Sequence, residues 1–442
     1  AVGNYALYSN TTGGNNTALG RGAMYTNTAG AENAAVGMYA LYTNTASFNT
    51  ALGYSALYAN TTGANNTAVG YKASGDNTTG GQNTSVGYKA LYINTTGGYN
   101  SAVGFESLLS NSTGGENIAF GYKALYSNTT ADKNVALGTS AMFTNTTGTH
   151  NVAVGMNAMY YNTTASYNTA IGRAALEANT TGAYNTGIGY QSLNASTTAN
   201  GNTACGYQTL KVNTTGAENV AVGNEVLAAN TTASYNTGLG RGSLNANTTG
   251  AENTAVGHSA LIANTTASYN TAIGVQALKT NTTGCCSVAI GDDALYTNST
   301  GGYNIAIGKN SLYSNTTASY NTAVGDNSLQ TNTTGTNNTA IGYYAAYSTT
   351  TGGYNTALGH EAFKGNTTGT YNTVLGRKAM LVANTGSSNV AVGGSALTNN
   401  SSGSWNTAVG TDALLGNTTG ARNTGCGNQA LASNCLLYTS PS

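Results

Sequence analysis

A glycine returns every seventeen residues along this chain. Gly3, Gly20, Gly37, Gly53, Gly70 and Gly87 begin a series that runs to Gly427, 26 glycines with a single interval of sixteen. Self-similarity at so short a period means that one unit cannot bury its own apolar face and must stack on its neighbours. The unit is clear at Asn83 to Tyr99, NTSVGYKALYINTTGGY. With Asn83 as position one, the recurring glycine is position five. Repetition inside one chain allows each position to be read down the series.

Position four is always apolar, with Phe120, Cys205 and Cys426 as variants of Val, Leu or Ile, and position nine is Leu in 19 of 26 units. Positions three and eight are small. Positions six, seven, ten, eleven, sixteen and seventeen accept Lys, Glu, Gln, Asp, Tyr or Asn and read as solvent-facing. A helix fits poorly, because seventeen residues are about 4.7 turns and Asn, Thr and Gly are weak helix formers. The expectation is an all-β chain: a parallel β-solenoid, or β-roll, of about 26 coils. Each coil would carry two short strands, at positions one to four and seven to eleven. Gly at position five would take a turn needing positive φ or close backbone approach, and Asn-Thr-Thr-Gly the other turn. At ~4.8 Å per coil the stack would be a rod of roughly 125 Å. The short unit, Asn33 to Phe48, lacks one Thr of that second turn, which marks it as a surface loop. The repeat domain spans residues 1–434. Residues 435–442 fit no position and form a non-repeat tail, read as a cap, a fragment end or the translated end of a sequencing adapter.

Charge narrows the function classes. Charged residues are 6 % of the chain, against ~25 % in ordinary soluble domains, and 14 basic residues balance 14 acidic ones. That leaves no electrostatic footprint for nucleic acid or an anionic membrane. With 40 % hydrophobic residues and one proline the composition is not that of a disordered chain. No apolar run reaches the ~20 residues of a membrane span. The chain opens at Ala1, so an export signal is expected to have been removed or to lie outside this window.

The string Asn-x-Ala-(Val/Ile)-Gly, repeated through a Gly/Asn/Ala-rich chain, resembles the head repeats of trimeric autotransporter adhesins. The longer string from Gly87 to Gly104 is similar to repeats of bacterial and phage tail-fibre-like proteins. The resemblance covers residues 1 to about 434. It implies a β-roll, assembly as a homotrimer and an extracellular place on a cell surface, secreted fibre or virion appendage. The seventeen-residue unit is longer than the autotransporter head repeat, and no coiled-coil stalk, membrane anchor or chaperone domain is present in this sequence.

Residues able to do chemistry are scattered. His150 is at position seventeen, and His258 and His360 share position six but lie six coils apart, too far to join a zinc site. The closest acidic pair is Asp292-Asp293, with Lys309 one coil on. Lys309 and Asp326 are expected to form an ordinary exposed ion pair. Cys205 and Cys426 read as core residues, whereas Cys285-Cys286 lies in a turn and could form a local disulfide or an interchain link. No catalytic, cofactor or metal site is expected.

Position twelve carries more information. An Asn-x-(Ser/Thr) sequon begins there at Asn10, Asn60, Asn77, Asn94, Asn111, Asn128, Asn145, Asn162, Asn179, Asn213, Asn230, Asn247, Asn264, Asn281, Asn298, Asn315, Asn332, Asn366, Asn400 and Asn417. Two readings stay open: a turn and ladder residue, or a file of N-glycans along one edge. Further sequons begin at Asn15, Asn65, Asn83, Asn194, Asn337 and Asn399. The expected function is a non-catalytic extracellular fibre or adhesin shaft, whose Tyr-rich surface contacts cell-surface carbohydrate at many weak points. An ice- or carbohydrate-surface-binding solenoid is the alternative. Because position four and position three give the first strand two covered-looking faces, a homo-oligomer or filament is expected, a parallel trimer foremost, with position three meeting the neighbour.

Overall fold

The computed structural model describes residues 1–433, so the tail assignment lies outside the described residues. Two compact units are present, with the boundary between Asn219 and Val220. Each is a parallel β-solenoid with no helix among the described residues. Every coil after the first contributes one strand of three residues, at positions two to four, and the first joins the sheet by a single bridge from Val2 to Leu19. The first unit runs from β1 (Thr17–Leu19) to β12 (Thr203–Cys205) and the second from β13 (Val220–Val222) to β25 (Thr424–Cys426). Within each unit neighbouring strands pair parallel and in register, as in Thr67↔Thr84, Ala68↔Ser85 and Val69↔Val86, seventeen residues apart except for Ala34↔Thr50 across the short unit, where the spacing is sixteen.

The strand faces are the reverse of the sequence expectation. Position three points inward and is buried, while positions two and four point outward. A three-residue strand alternates faces, so burying the small residue turns its two larger neighbours to solvent. The interior is narrow for a clear reason: Ala of position three meets Leu of position nine. A methyl built on Gly187, where most coils have Ala, would touch the Leu176 side chain at 3.4 Å. Cys205 and Cys426, expected in the core, are therefore half-exposed and exposed.

The second expected strand is absent. Positions seven and nine have positive φ in nearly every coil, as at Lys89 (50°) and Leu91 (52°), and so does position seventeen, as at Tyr99 (60°). Left-handed residues cannot continue an extended strand. Their amides still bond along the stack: Lys89 N–H donates to Tyr71 O at 2.9 Å, and Leu91 N–H to Ser107 O at 2.9 Å. Each buried Leu is thus held in a strained conformation by its bond to the following coil, and the position-seven residue beside it by a bond to the preceding one. The turn at position five is as expected. Gly121 sits at φ 136°, where a Cβ would lie 2.5 Å from the Gly138 carbonyl oxygen.

Two ladders of asparagine complete the interior. At position twelve, Asn77 Nδ2 donates to Asn60 Oδ1 at 2.7 Å and to Gly80 O at 2.9 Å. At position one, Asn83 Nδ2 donates to Gly97 O at 2.9 Å, and its backbone N–H donates to Asn66 Oδ1 at 2.9 Å. Each amide thus fastens its own coil and the one before it. The short unit confirms the loop: Asn44 Nδ2 reaches Ala46 O two residues on instead of three, and the strand register is unbroken. At Ala383 the ladder residue is missing, and Asn384, one residue late, bridges to Asn366 in its place. There the following loop is one Thr shorter, so insertion and deletion cancel.

Candidate functional site: ladders, aromatic files and a tyrosine groove

The sequon asparagines are interior residues. Apart from Asn10, which is half-buried in the first coil, every one of the twenty at position twelve is buried, all but Asn417 with no exposed surface. At Asn94, both Nδ2 hydrogens are engaged, to Asn77 Oδ1 at 2.6 Å and Gly97 O at 2.8 Å. A glycan on Nδ2 would remove one donor and would have no path out of the coil. Of the two readings left open, the ladder is the one these bonds show: Asn60 through Asn417 join coil to coil in the interior. Of the remaining sequons Asn83 is buried too, and Asn194 is half-buried. Asn15, Asn65, Asn337 and Asn399 face solvent.

Charged residues form local pairs on the outer wall. Lys309 Nζ lies 3.6 Å from Asp292, not from Asp326, whose carboxylate instead accepts the Lys309 backbone N–H at 2.9 Å. Burial and the adjacent Asp292 push the Asp293 carboxyl above the ordinary carboxylate range. Glu361 receives Lys364 at 2.7 Å, with Lys378 and His360 each at 3.8 Å. The Lys364 hydrogen bond holds its carboxyl below the usual range. His150 stacks on Tyr167 at 4.9 Å. Cys285 and Cys286 are free thiols with sulfurs 3.0 Å apart, and the hydrogen bond they share, together with burial, pushes the Cys285 thiol up. Among the described residues no three His, Cys, Asp or Glu side chains converge as metal ligands, and no helix is long and apolar enough to cross a membrane.

The aromatic residues align as files because identical positions stack coil on coil. Position six carries Tyr54, Tyr71, Tyr88, Phe105 and Tyr122, with ring centroids 4.9–5.3 Å apart and nearly parallel planes. Position ten carries Tyr8, Tyr25, Tyr42 and Tyr58 at 5.0–5.2 Å. These spacings follow the coil repeat rather than an optimal ring contact, so the files follow from the backbone.

Between Tyr58 and Tyr92 the position-ten file is interrupted in a way that leaves a concavity. The coil Asn66 to Gln82 reads Ala-Ser-Gly-Asp where its neighbours read Ala-Leu-Tyr-x. Gly75 stands in the tyrosine file between Tyr58 and Tyr92. The gap opens into a groove of about 320 Å³ lined by Tyr39, Tyr54, Ser55, Tyr58, Lys72, Gly75, Asp76 and Tyr92. Lys72 Nζ lies 5.7 Å from the Tyr71 ring centre and 5.9 Å from that of Tyr92. Burial lifts the Asp76 carboxyl above its ordinary range, against the opposing pull of Lys72 and of the Tyr92 hydroxyl. The sequence reading passed over this groove. Its signal was the paired loss of Leu and Tyr at Ser74-Gly75, visible once the units are superposed.

No protein-family model, curated protein or solved structure matches this chain.

Proposed function

We propose that the protein is a non-catalytic structural shaft of an extracellular fibre or appendage, built to associate with further copies of itself. The observation that carries this is the spending of six interior positions per coil (one, three, eight, nine, twelve and fifteen) on a ladder that repeats itself, while reactive side chains stay dispersed on the outer wall. Each coil presents the next with the same row of amides, so the stack templates its own continuation. Its Tyr files offer a low-charge surface for weak, multivalent contact with carbohydrate. Immunogold labelling of the source cell or virion tests the placement: label on surface appendages is expected, and label confined to the cytoplasm overturns it.

Self-association has a specific surface. Positions two and four of the strands form an outward sheet face without a charged residue, for example Ile305 and Ile307, 40 % and 37 % exposed. A strand of three residues at ~3.3 Å per residue and ~4.8 Å per coil offers roughly 48 Å². Twelve strands then give roughly 570 Å² per copy, so two copies bury about the 1,000 Å² that a specific interface needs. The occupant is a second copy of this chain, whose face has the same period, in a homo-oligomer of which the parallel trimer is the leading form.

A second reading rests on the same face. Position two is Thr in 16 of the 25 strands, giving a flat, uncharged file of outward hydroxyls beside the position-four methyl groups. Such an array suits ordered water at an ice surface. Thermal hysteresis from a monomeric protein would favour this reading over self-association.

A further inference from the structure

We infer that the groove at Gly75 is a binding subsite for one neutral pyranose unit of a glycan. This deepens the carbohydrate contact proposed above, replacing a diffuse surface by one formed site. The groove is concave where the coils on either side of it, at Tyr58 and Tyr92, carry a ring at the same position. Tyr58 and Tyr92 stand two coils apart, roughly 9.6 Å at the strand spacing, with the intervening ring deleted. The Tyr92 ring leans into part of the gap, and the space left beside it is lined by Tyr39, Tyr54, Tyr58 and Tyr92, whose rings suit the apolar C–H face of a sugar. Its volume falls at the lower end of small-molecule sites.

The polar lining completes the match. Lys72 and Asp76 supply a donor and an acceptor at the slot, and the Ser55 and tyrosine hydroxyls supply more. Opposite charges in one small groove favour a neutral, hydroxyl-rich ligand over an ion of either sign. Asp76 is half-buried in the groove, so its bonds to hydroxyls are less contested by solvent than at an open surface.

A second observation shows that the deviating coil is compensated inside. Where Leu of position nine is lost at Ser74, the facing position-three residue of the next coil is Ser85 instead of Ala, and the two buried hydroxyls bond at 2.9 Å. Gly75 itself does not have positive φ, so its conformation is open to any residue. The Tyr92 ring leans over it: a Cβ there would meet Tyr92 Cε2 at 2.8 Å, the movable end of a side chain.

The test follows from that geometry. Saturation-transfer NMR of the full chain is run with cellotetraose, maltotetraose and chitotetraose, and with phenol as an aromatic probe. At least one saccharide is expected to bind with a Kd on the order of 1 mM, the scale for a single small subsite. Gly75→Tyr restores the missing ring and should weaken binding at least tenfold, with the circular dichroism of the parent. Asp76→Asn and Lys72→Met, which leave the coil interior untouched, should each weaken it several-fold. Tyr184→Phe, on another file, should change nothing. Saccharide binding that survives Gly75→Tyr and both polar variants would overturn the groove while keeping the dispersed tyrosine surface. Absence of binding by any saccharide, or binding of phenol alone, would overturn the subsite and leave the structural shaft standing.

Discussion

Thr349 is the break in the position-twelve ladder whose repair can be reckoned from neighbouring coils. In an intact rung the incoming amide donates to the preceding Oδ1, as Asn111 does to Asn94 at 2.8 Å. Thr349 has no amide to offer, and Asn332 Oδ1 is left buried without a partner. On the other side, Asn366 Nδ2 reaches Thr349 Oγ1 at only 3.3 Å. Thr349→Asn supplies a donor to Asn332 Oδ1, a second donor to Gly352 O and a stronger acceptor for Asn366. Satisfying a buried acceptor is worth about 1–3 kcal/mol, from which ordering the longer side chain takes about 1. With the bond to Gly352 O adding about 1 kcal/mol, a net gain of about 1–3 kcal/mol should reduce local opening by roughly 5- to 160-fold. Because a stack of coils need not unfold in one step, the assay is hydrogen exchange read by mass spectrometry on peptides covering Ala346 to Tyr354. The amide of Thr350, bonded to Thr367 O at 2.9 Å, is the reporter. Protection that is unchanged or reduced would refute the claim that these asparagines stabilise the stack by coil-to-coil hydrogen bonds.

Asn94→Asp, nearly isosteric, would set a carboxylate against the Asn77 and Gly97 oxygens that now accept at 2.6 and 2.8 Å. It should cost about 2–4 kcal/mol, seen as lower urea resistance of that region by pulse proteolysis. Gly121→Ala should destabilise by about 2 kcal/mol or more, since the methyl meets the Gly138 carbonyl at 2.5 Å, whereas Gly14→Ala, with nothing within 4 Å, should be silent in the same assay. Peptide mapping of protein from its native source should find no glycan on the buried position-twelve asparagines, Asn60 through Asn417. A glycosylated Asn94 in folded protein would contradict its place inside the coil.

The solenoid was legible because seventeen-residue identity leaves few ways to bury Ala and Leu together, and the glycine turn and the shortened loop followed from the same columns. The direction of the strand was not. Val and Leu at position four look like core beside Ala at position three, and only the narrowness of the coil makes the smaller residue the inner one. A further clue was available: positions eight and nine are both uniform and apolar, as at Ala90-Leu91, and both are buried, which no alternating strand permits. The left-handed backbone at Lys89 and Leu91 has no signature in side chains of that kind. The sequons stayed ambiguous for a related reason. Asn followed by Thr-Thr serves a turn and a ladder equally well, and Nδ2 is consumed by the ladder.

The face assignment and the self-association built on it meet in one experiment. Light scattering under native conditions should give a mass that is a multiple of 44.4 kDa, three times that value for the leading trimer. Ile273→Lys with Ile307→Lys places charges on the outward face of the second unit and should reduce the mass to that of a single chain, with the circular dichroism retained. A parent protein that is already a single chain of 44.4 kDa, or a multimer indifferent to those lysines, would contradict the account.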